Sequence, residues 1–210
     1  FSPRPLRGTF FFLFPGGGAT GGGGANWGGA AYDPARNLLI VNMNNVAHHI
    51  QLIPAEQVGE ARKVFHDQEV SPQAGASYGM KREILLSPLD VPCTPPPWGV
   101  LAAVDLGTGR IVWRKPLGEM MGVTLGLPTL GGPIMTASGL TFIGGTMDDR
   151  LRAFDSATGE LLMDWKLPAA GQATPMTYRH EGRQYVVIQA GGNPRAEGKL
   201  GDAVLAFALP

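Results

Sequence analysis

Leu101-Ala102-Ala103-Val104-Asp105-Leu106-Gly107-Thr108-Gly109-Arg110-Ile111-Val112-Trp113 returns fifty residues later as Leu151-Arg152-Ala153-Phe154-Asp155-Ser156-Ala157-Thr158-Gly159-Glu160-Leu161-Leu162-Met163. Both copies read A-x-D-x-x-T-G followed by apolar residues. The pattern predicts a strand, a tight turn and a strand. A carboxylate at the start of the turn can accept hydrogen bonds from amides two residues on, and glycine can take a positive φ. The apolar residue four positions after the glycine, Trp113 or Met163, is expected to point into the packing between repeats. A repeat of this length indicates stacked or radial supersecondary units.

Composition agrees. Gly (31) and Pro (18) are frequent in the 210 residues, which favours many short strands over long helices. Further strands are predicted at Ala30-Ala31-Tyr32 and Leu38–Asn42, joined by a turn at Asp33–Asn37. Others are predicted at Gly139–Gly145, Gln184–Gln189 and Asp202–Pro210. Pro54–Asp67 is the best helix candidate, with Val58, Ala61, Val64 and Phe65 at helical spacing. Residues 68–99 read as a long irregular insertion. Short strands, a period near fifty and no helical crossovers predict an all-β chain and a β-propeller of four-stranded blades. At roughly 40–50 residues per blade the chain supplies about four. Half a propeller would leave sheet edges open. The chain begins at Phe1 without a basic leader region. Both points lead us to expect further blades upstream and a chain that is part of something longer.

The formal net charge is zero, so nothing marks a nucleic-acid surface. The single Cys93 rules out an intramolecular disulfide and a cysteine-based zinc cluster. No apolar run approaches the ~18 residues of a spanning helix. The glycine-rich stretch 15–29 lacks the Gly-Lys-Ser/Thr of a P-loop and leads into a strand rather than a helix. Gly75-Ala76-Ser77-Tyr78-Gly79 matches the G-x-S-x-G of hydrolases without the strand and helix that a nucleophile elbow needs. His48-His49 would face opposite sides of a strand and make a poor metal pair. Asp148-Asp149 reads as a hairpin turn. Asn26-Trp27-Gly28-Gly29 offers an amide, a flat indole and small neighbours that would let a planar ligand approach the backbone.

The full pattern at Ala103, Asp105, Thr108, Gly109 and Trp113 resembles the tryptophan-docking motif of quinoprotein dehydrogenases. Asn26–Gly29 with Asp33-Pro34, Pro92-Cys93 with Pro96-Pro97, Gly131-Gly132, Ala173–Tyr178, Gln184–Ile188, Ala190–Gly192 and Gly201-Asp202 resemble the membrane-bound glucose and quinate dehydrogenase branch, in order, over most of residues 24–210. The resemblance implies an eight-bladed propeller, of which residues 1–210 form a C-terminal part. Such a propeller holds pyrroloquinoline quinone with Ca²⁺ or Mg²⁺, oxidises a sugar or polyol, and passes electrons to ubiquinone at the periplasmic face of the inner membrane. It also implies that Asn26 contacts the quinone beside Trp27. Leu130 falls where related alcohol dehydrogenases place a cofactor-side tryptophan, and Gly191 and Gly192 match a loop approaching the cofactor's carboxylates. Asn193 stands where those enzymes have tryptophan. Met163 replaces the second docking tryptophan, with Trp165 two positions later and on the same sheet face. The catalytic aspartate and the metal ligands are expected in the missing N-terminal blades, so the chain alone should lack a complete active site. The competing readings are a non-enzymatic periplasmic scaffold for protein binding and, more weakly, a serine hydrolase through Ser77.

Overall fold

Both copies of the repeat fold as antiparallel strand pairs in a computed structural model that describes residues 9–11, 24–66, 68–194 and 198–208. Among these residues the strands, numbered along the chain, are β1 (Thr9–Phe11), β2 (Gly24–Asp33), β3 (Leu38–Asn44), β4 (His48–Pro54), β5 (Glu69–Ser71), β6 (Tyr78–Ile84), β7 (Gly99–Asp105) and β8 (Arg110–Pro116). They continue as β9 (Ile134–Met135), β10 (Leu140–Ile143), β11 (Arg150–Asp155), β12 (Leu161–Lys166), β13 (Met176–His180), β14 (Arg183–Ala190) and β15 (Ala203–Ala208). The chain divides into two compact units, one taking in residues 9–11 and 46–95 and the other 24–45 and 96–208.

The first unit is a sheet ordered β1-β4-β6-β5 with one short helix. The segment expected to be helical over Pro54–Asp67 forms a 3-10 turn, Ala55–Gln57, and a helix, α1, of only Val58–Val64. No side chain caps its start, and Val58 is its one buried residue. Val64, expected on the apolar stripe, is exposed. The stretch expected to be irregular, 68–99, contains β5 and β6, which pair with each other, β6 pairing also with β4. Lys81 lies in β6 with its ammonium over the Phe65 ring, 4.2 Å from the centroid.

In the second unit three sheets, β2-β3-β7-β8, β9-β10-β11-β12 and β13-β14-β15, each run through their strands in chain order. Ile40, Leu101, Ala103 and Trp113 from the first sheet, with Leu117 just past the end of β8, meet Ile143 and Phe154 from the second. Phe142, Leu151 and Ala153, of opposite parity on the second sheet, meet Val186, Ile188 and Ala190 on the third. The middle sheet is thus covered on both faces, which explains the unbroken burial of Thr141–Ile143 in β10 and Leu151–Phe154 in β11. β15 alternates, with Ala203, Leu205 and Phe207 turned to the core and Val204 exposed.

The repeat turns form as their chemistry predicts. Asp105 Oδ1 accepts from the Gly107 and Thr108 amides at 2.7 and 3.3 Å. Asp155 Oδ1 accepts from Ala157 and Thr158 at 2.9 and 2.8 Å. Gly109 and Gly159 take φ of 69° and 68°, and each turn ends in a register shift, at Ala103/Val104 and Ala153/Phe154. Trp113, opposite Ala103, is 8% exposed and donates its indole N–H to the Ser156 carbonyl at 3.0 Å. Its ring covers Gly159, where a methyl group would lie 2.6 Å from Cδ2. The tryptophan of one repeat is therefore seated on the turn of the next.

The second copy departs from the expectation. Met163, opposite Ala153, is 43% exposed and packs into no core. Trp165, opposite Leu151, joins the second core instead, 5.3 Å from the Phe207 ring at an interplanar angle of 31°. The two-residue shift preserves the sheet face, as parity requires.

Candidate functional site

The glycine-rich composition of residues 15–29 suggests a loop throughout, but β2 begins at Gly24, so Asn26, Trp27 and Gly28 lie on a strand. Residues 15–23 and the Trp27 side chain lie outside the described residues. The β2–β3 ladder breaks between Ala25 and Ala30, and Gly29 takes φ +81° in the break. In the direction a Gly29 side chain would take, nothing lies within 4 Å.

Gly28 meets the segment 130–132 backbone to backbone. A methyl group on Gly28 would lie 2.4 Å from the Gly132 nitrogen and 2.6 Å from the Leu130 carbonyl oxygen. Thr174 Oγ1 accepts from the Gly132 amide at 3.0 Å and donates to the Gly28 carbonyl at 3.4 Å. Three sequence-distant stretches that carry the resemblance, 26–29, 130–132 and 173–174, therefore converge. Gly28→Ala is expected to destabilise the protein by about 1–3 kcal/mol through overpacking, measurable as a lower urea midpoint at unchanged m-value.

The contacts continue along a row of loops. The Leu130 amide donates to the Gly145 carbonyl at 2.9 Å, and the Gly145 amide to Gly171 at 2.7 Å. Gly192 donates to the Ala170 carbonyl and Gly201 to the Gly191 carbonyl, both at 3.0 Å. Asn26 and Leu130 belong to adjoining members of this row, while Gly191 and Gly192 sit at its far end. The Gly192 amide, matched by resemblance to a group facing carboxylates, is committed to Ala170.

Two features were not anticipated from sequence. Asn42 and Asn44, on the buried face of β3, hydrogen-bond to Thr129 and to the Gly131 carbonyl. Arg152, read only as part of a repeat, is 3% exposed. Its guanidinium pairs with Asp148, Nη1 to Oδ1 at 3.2 Å, and approaches Asp164, Nε to Oδ2 at 3.6 Å. Asp148 also accepts from the Thr146 hydroxyl and from the Glu119 amide, the latter at 2.8 Å. Burial pushes the Asp148 carboxyl up, but Arg152, Thr146 and the Glu119 N–H outweigh it and hold the group below the usual carboxylate range.

The other sequence candidates resolve simply. Ser77 lies in an exposed turn between β5 and β6, with no helix after it. His48 is buried, and desolvation holds its imidazole below the usual histidine value. His49 Nδ1 lies 2.7 Å from Glu83 Oε1. Cys93 is a free, exposed thiol. Among the described residues no three His, Cys, Asp or Glu side chains converge as metal ligands, and no helix is long and apolar enough to cross a membrane.

Residues 1–186 match the PQQ family of glucose, ethanol and alcohol dehydrogenase β-propeller domains. The chain belongs to this family. Quinoprotein glucose dehydrogenase A of Acinetobacter calcoaceticus is 40% identical over all of the chain and 27% of its own length. A probable quinate dehydrogenase (quinone) of Xanthomonas campestris pv. juglandis is 39% identical over 88% of the chain and 26% of its own length. A europium-containing methanol dehydrogenase superposes with a TM-score of 0.54 at 27% identity, covering 78% of the chain and 24% of that structure. The chain thus spans about a quarter of the length of these relatives. Its three chain-ordered sheets are those of a quinoprotein β-propeller.

Membership implies pyrroloquinoline quinone, and the described residues fit one flank of such a group. Asn26 and Gly29, the latter with open space on its Cβ side, share the break in the β2–β3 ladder, next to a rim of loops joined by main-chain hydrogen bonds. A metal would need ligands from outside the described residues.

Proposed function

We propose that this chain is the C-terminal part of a quinoprotein dehydrogenase that oxidises a hydroxyl of a sugar or cyclic polyol. The convergence of Asn26–Gly29 with Leu130–Gly132 and Thr174 carries this reading. It brings Asn26 and a run of small residues, with open space beside Gly29, to positions where the family resemblance puts the cofactor. Bound there, pyrroloquinoline quinone would supply the two-electron acceptor. This chain would bind and orient one side of it, with Asn26 as hydrogen-bonding partner and the loop row as a fixed wall. Ca²⁺ or Mg²⁺, the base that takes the substrate proton, and transfer of electrons to ubiquinone belong to the rest of the full-length protein, at the periplasmic face of the inner membrane.

Titration of the full-length protein with pyrroloquinoline quinone and Ca²⁺, followed by tryptophan fluorescence, is expected to show saturable quenching. Asn26→Ala should weaken the affinity about tenfold or more, as for loss of one hydrogen bond to a polar or charged ligand. Absence of quenching from the folded protein would favour the scaffold reading.

A further inference from the structure

The face of β3 that enters the core changes character along the strand. Leu38 and Ile40 are apolar, but the next two inward positions are Asn42 and Asn44, 2% and 5% exposed. Buried amides are unfavourable unless satisfied, and here one segment, more than eighty residues away, meets both.

Asn44 pairs with Thr129 as one peptide unit pairs with another in a sheet. Its Nδ2 donates to the Thr129 carbonyl at 2.8 Å, and its Oδ1 accepts from the Thr129 amide at 2.7 Å. Asn42 Nδ2 donates to Thr129 Oγ1 at 2.7 Å and to the Gly131 carbonyl at 3.0 Å. Leu130, half-buried between these anchors, has its own amide bonded to Gly145. Leucines at both β3 positions would fill the same space. What the amides add is a fixed path for residues 129–131, the segment that Gly28 packs against.

We propose that Asn42 and Asn44 are positioning residues for the quinone site: they clamp Thr129–Gly131 so that Leu130 and the adjoining Asn26–Gly28 strand form one preset wall. This rests on the functional reading above. It assigns the two asparagines no contact with cofactor or substrate. They act through Thr129.

The test uses the full-length protein and two readouts, affinity for pyrroloquinoline quinone by fluorescence and hydrogen exchange at the Thr129 and Leu130 amides. Asn44→Leu is expected to speed exchange at both amides and to weaken quinone affinity at least tenfold. Ile40→Val, a core change on the same strand face, should leave affinity unchanged despite some loss of stability. Thr129→Val removes the hydroxyl partner of Asn42 from the other side. It also removes the hydroxyl's bond to Asn44 Oδ1 at 3.3 Å; it should act in the same direction, and its effect combined with Asn42→Leu should be less than the sum of the two. If Asn44→Leu does not fold, Thr129→Val and Asn42→Leu decide the matter.

Wild-type quinone affinity with accelerated exchange would show a clamp that does not serve the cofactor and would overturn the proposal. So would unchanged exchange. If the unsubstituted protein binds no quinone, the functional reading and this role fall together. If it binds and the clamp variants bind equally well, only this role falls.

Discussion

Trp113→Ala should destabilise the protein by about 3–5 kcal/mol, the range for removing a large buried aromatic. The indole fills the first core between two sheets, covers Gly159, and donates to the Ser156 carbonyl. Truncation would leave a cavity and an unpaired carbonyl in a residue that is itself fully buried. Met163 occupies the equivalent position in the second repeat, yet Met163→Ala should change stability by no more than about 0.5 kcal/mol, because its side chain packs into no core. Urea unfolding of the two variants side by side makes the comparison. Equal losses would mean that the docking role belongs to the repeat position rather than to the tryptophan.

Asp148→Ala is expected to be as severe, at about 3–5 kcal/mol, because it leaves the Arg152 guanidinium buried without its main partner. Replacing both residues by apolar ones should be milder than losing either alone. The same pair predicts a pH dependence. The folded-state pKa of Asp148 is depressed, so its contribution is complete above the ordinary carboxylate value of 3.8 and is lost as pH falls through the folded value. Acid titration of stability should therefore show a component below that value which is absent from Asp148→Ala.

Strand-level architecture could be read from sequence because it depends on local periodicity and turn chemistry. Asp105, Gly109, Asp155 and Gly159 behave as their side chains and backbone freedom require. Trp165 keeps the sheet face of Met163, as strand parity requires, and joins the second core there. The strands within 68–99 escaped because β5 is three residues long and β6 mixes Lys81, Arg82 and Glu83 into its run, so no alternation stands out. Helix α1 came out shorter than its apolar spacing suggested because no side chain caps it and only Val58 finds a core. Of the site, Asn26 and Leu130 were reached through family resemblance. Asn42, Asn44 and Thr129 were not, because their role is created by pairing across more than eighty residues. One signal was available: two asparagines on the apolar parity of a strand, where Leu38 and Ile40 lead a reader to expect Val or Leu.

The row of loops from Gly28 through Gly131, Gly145 and Gly171 to Gly192 is joined mainly by main-chain atoms. Such a frame makes few demands on the side chains it carries. Neighbouring positions on the rim can exchange residues over evolutionary time without the scaffold shifting. Selection on substrate range could then work residue by residue, while the glycines that set the spacing stay fixed as a group.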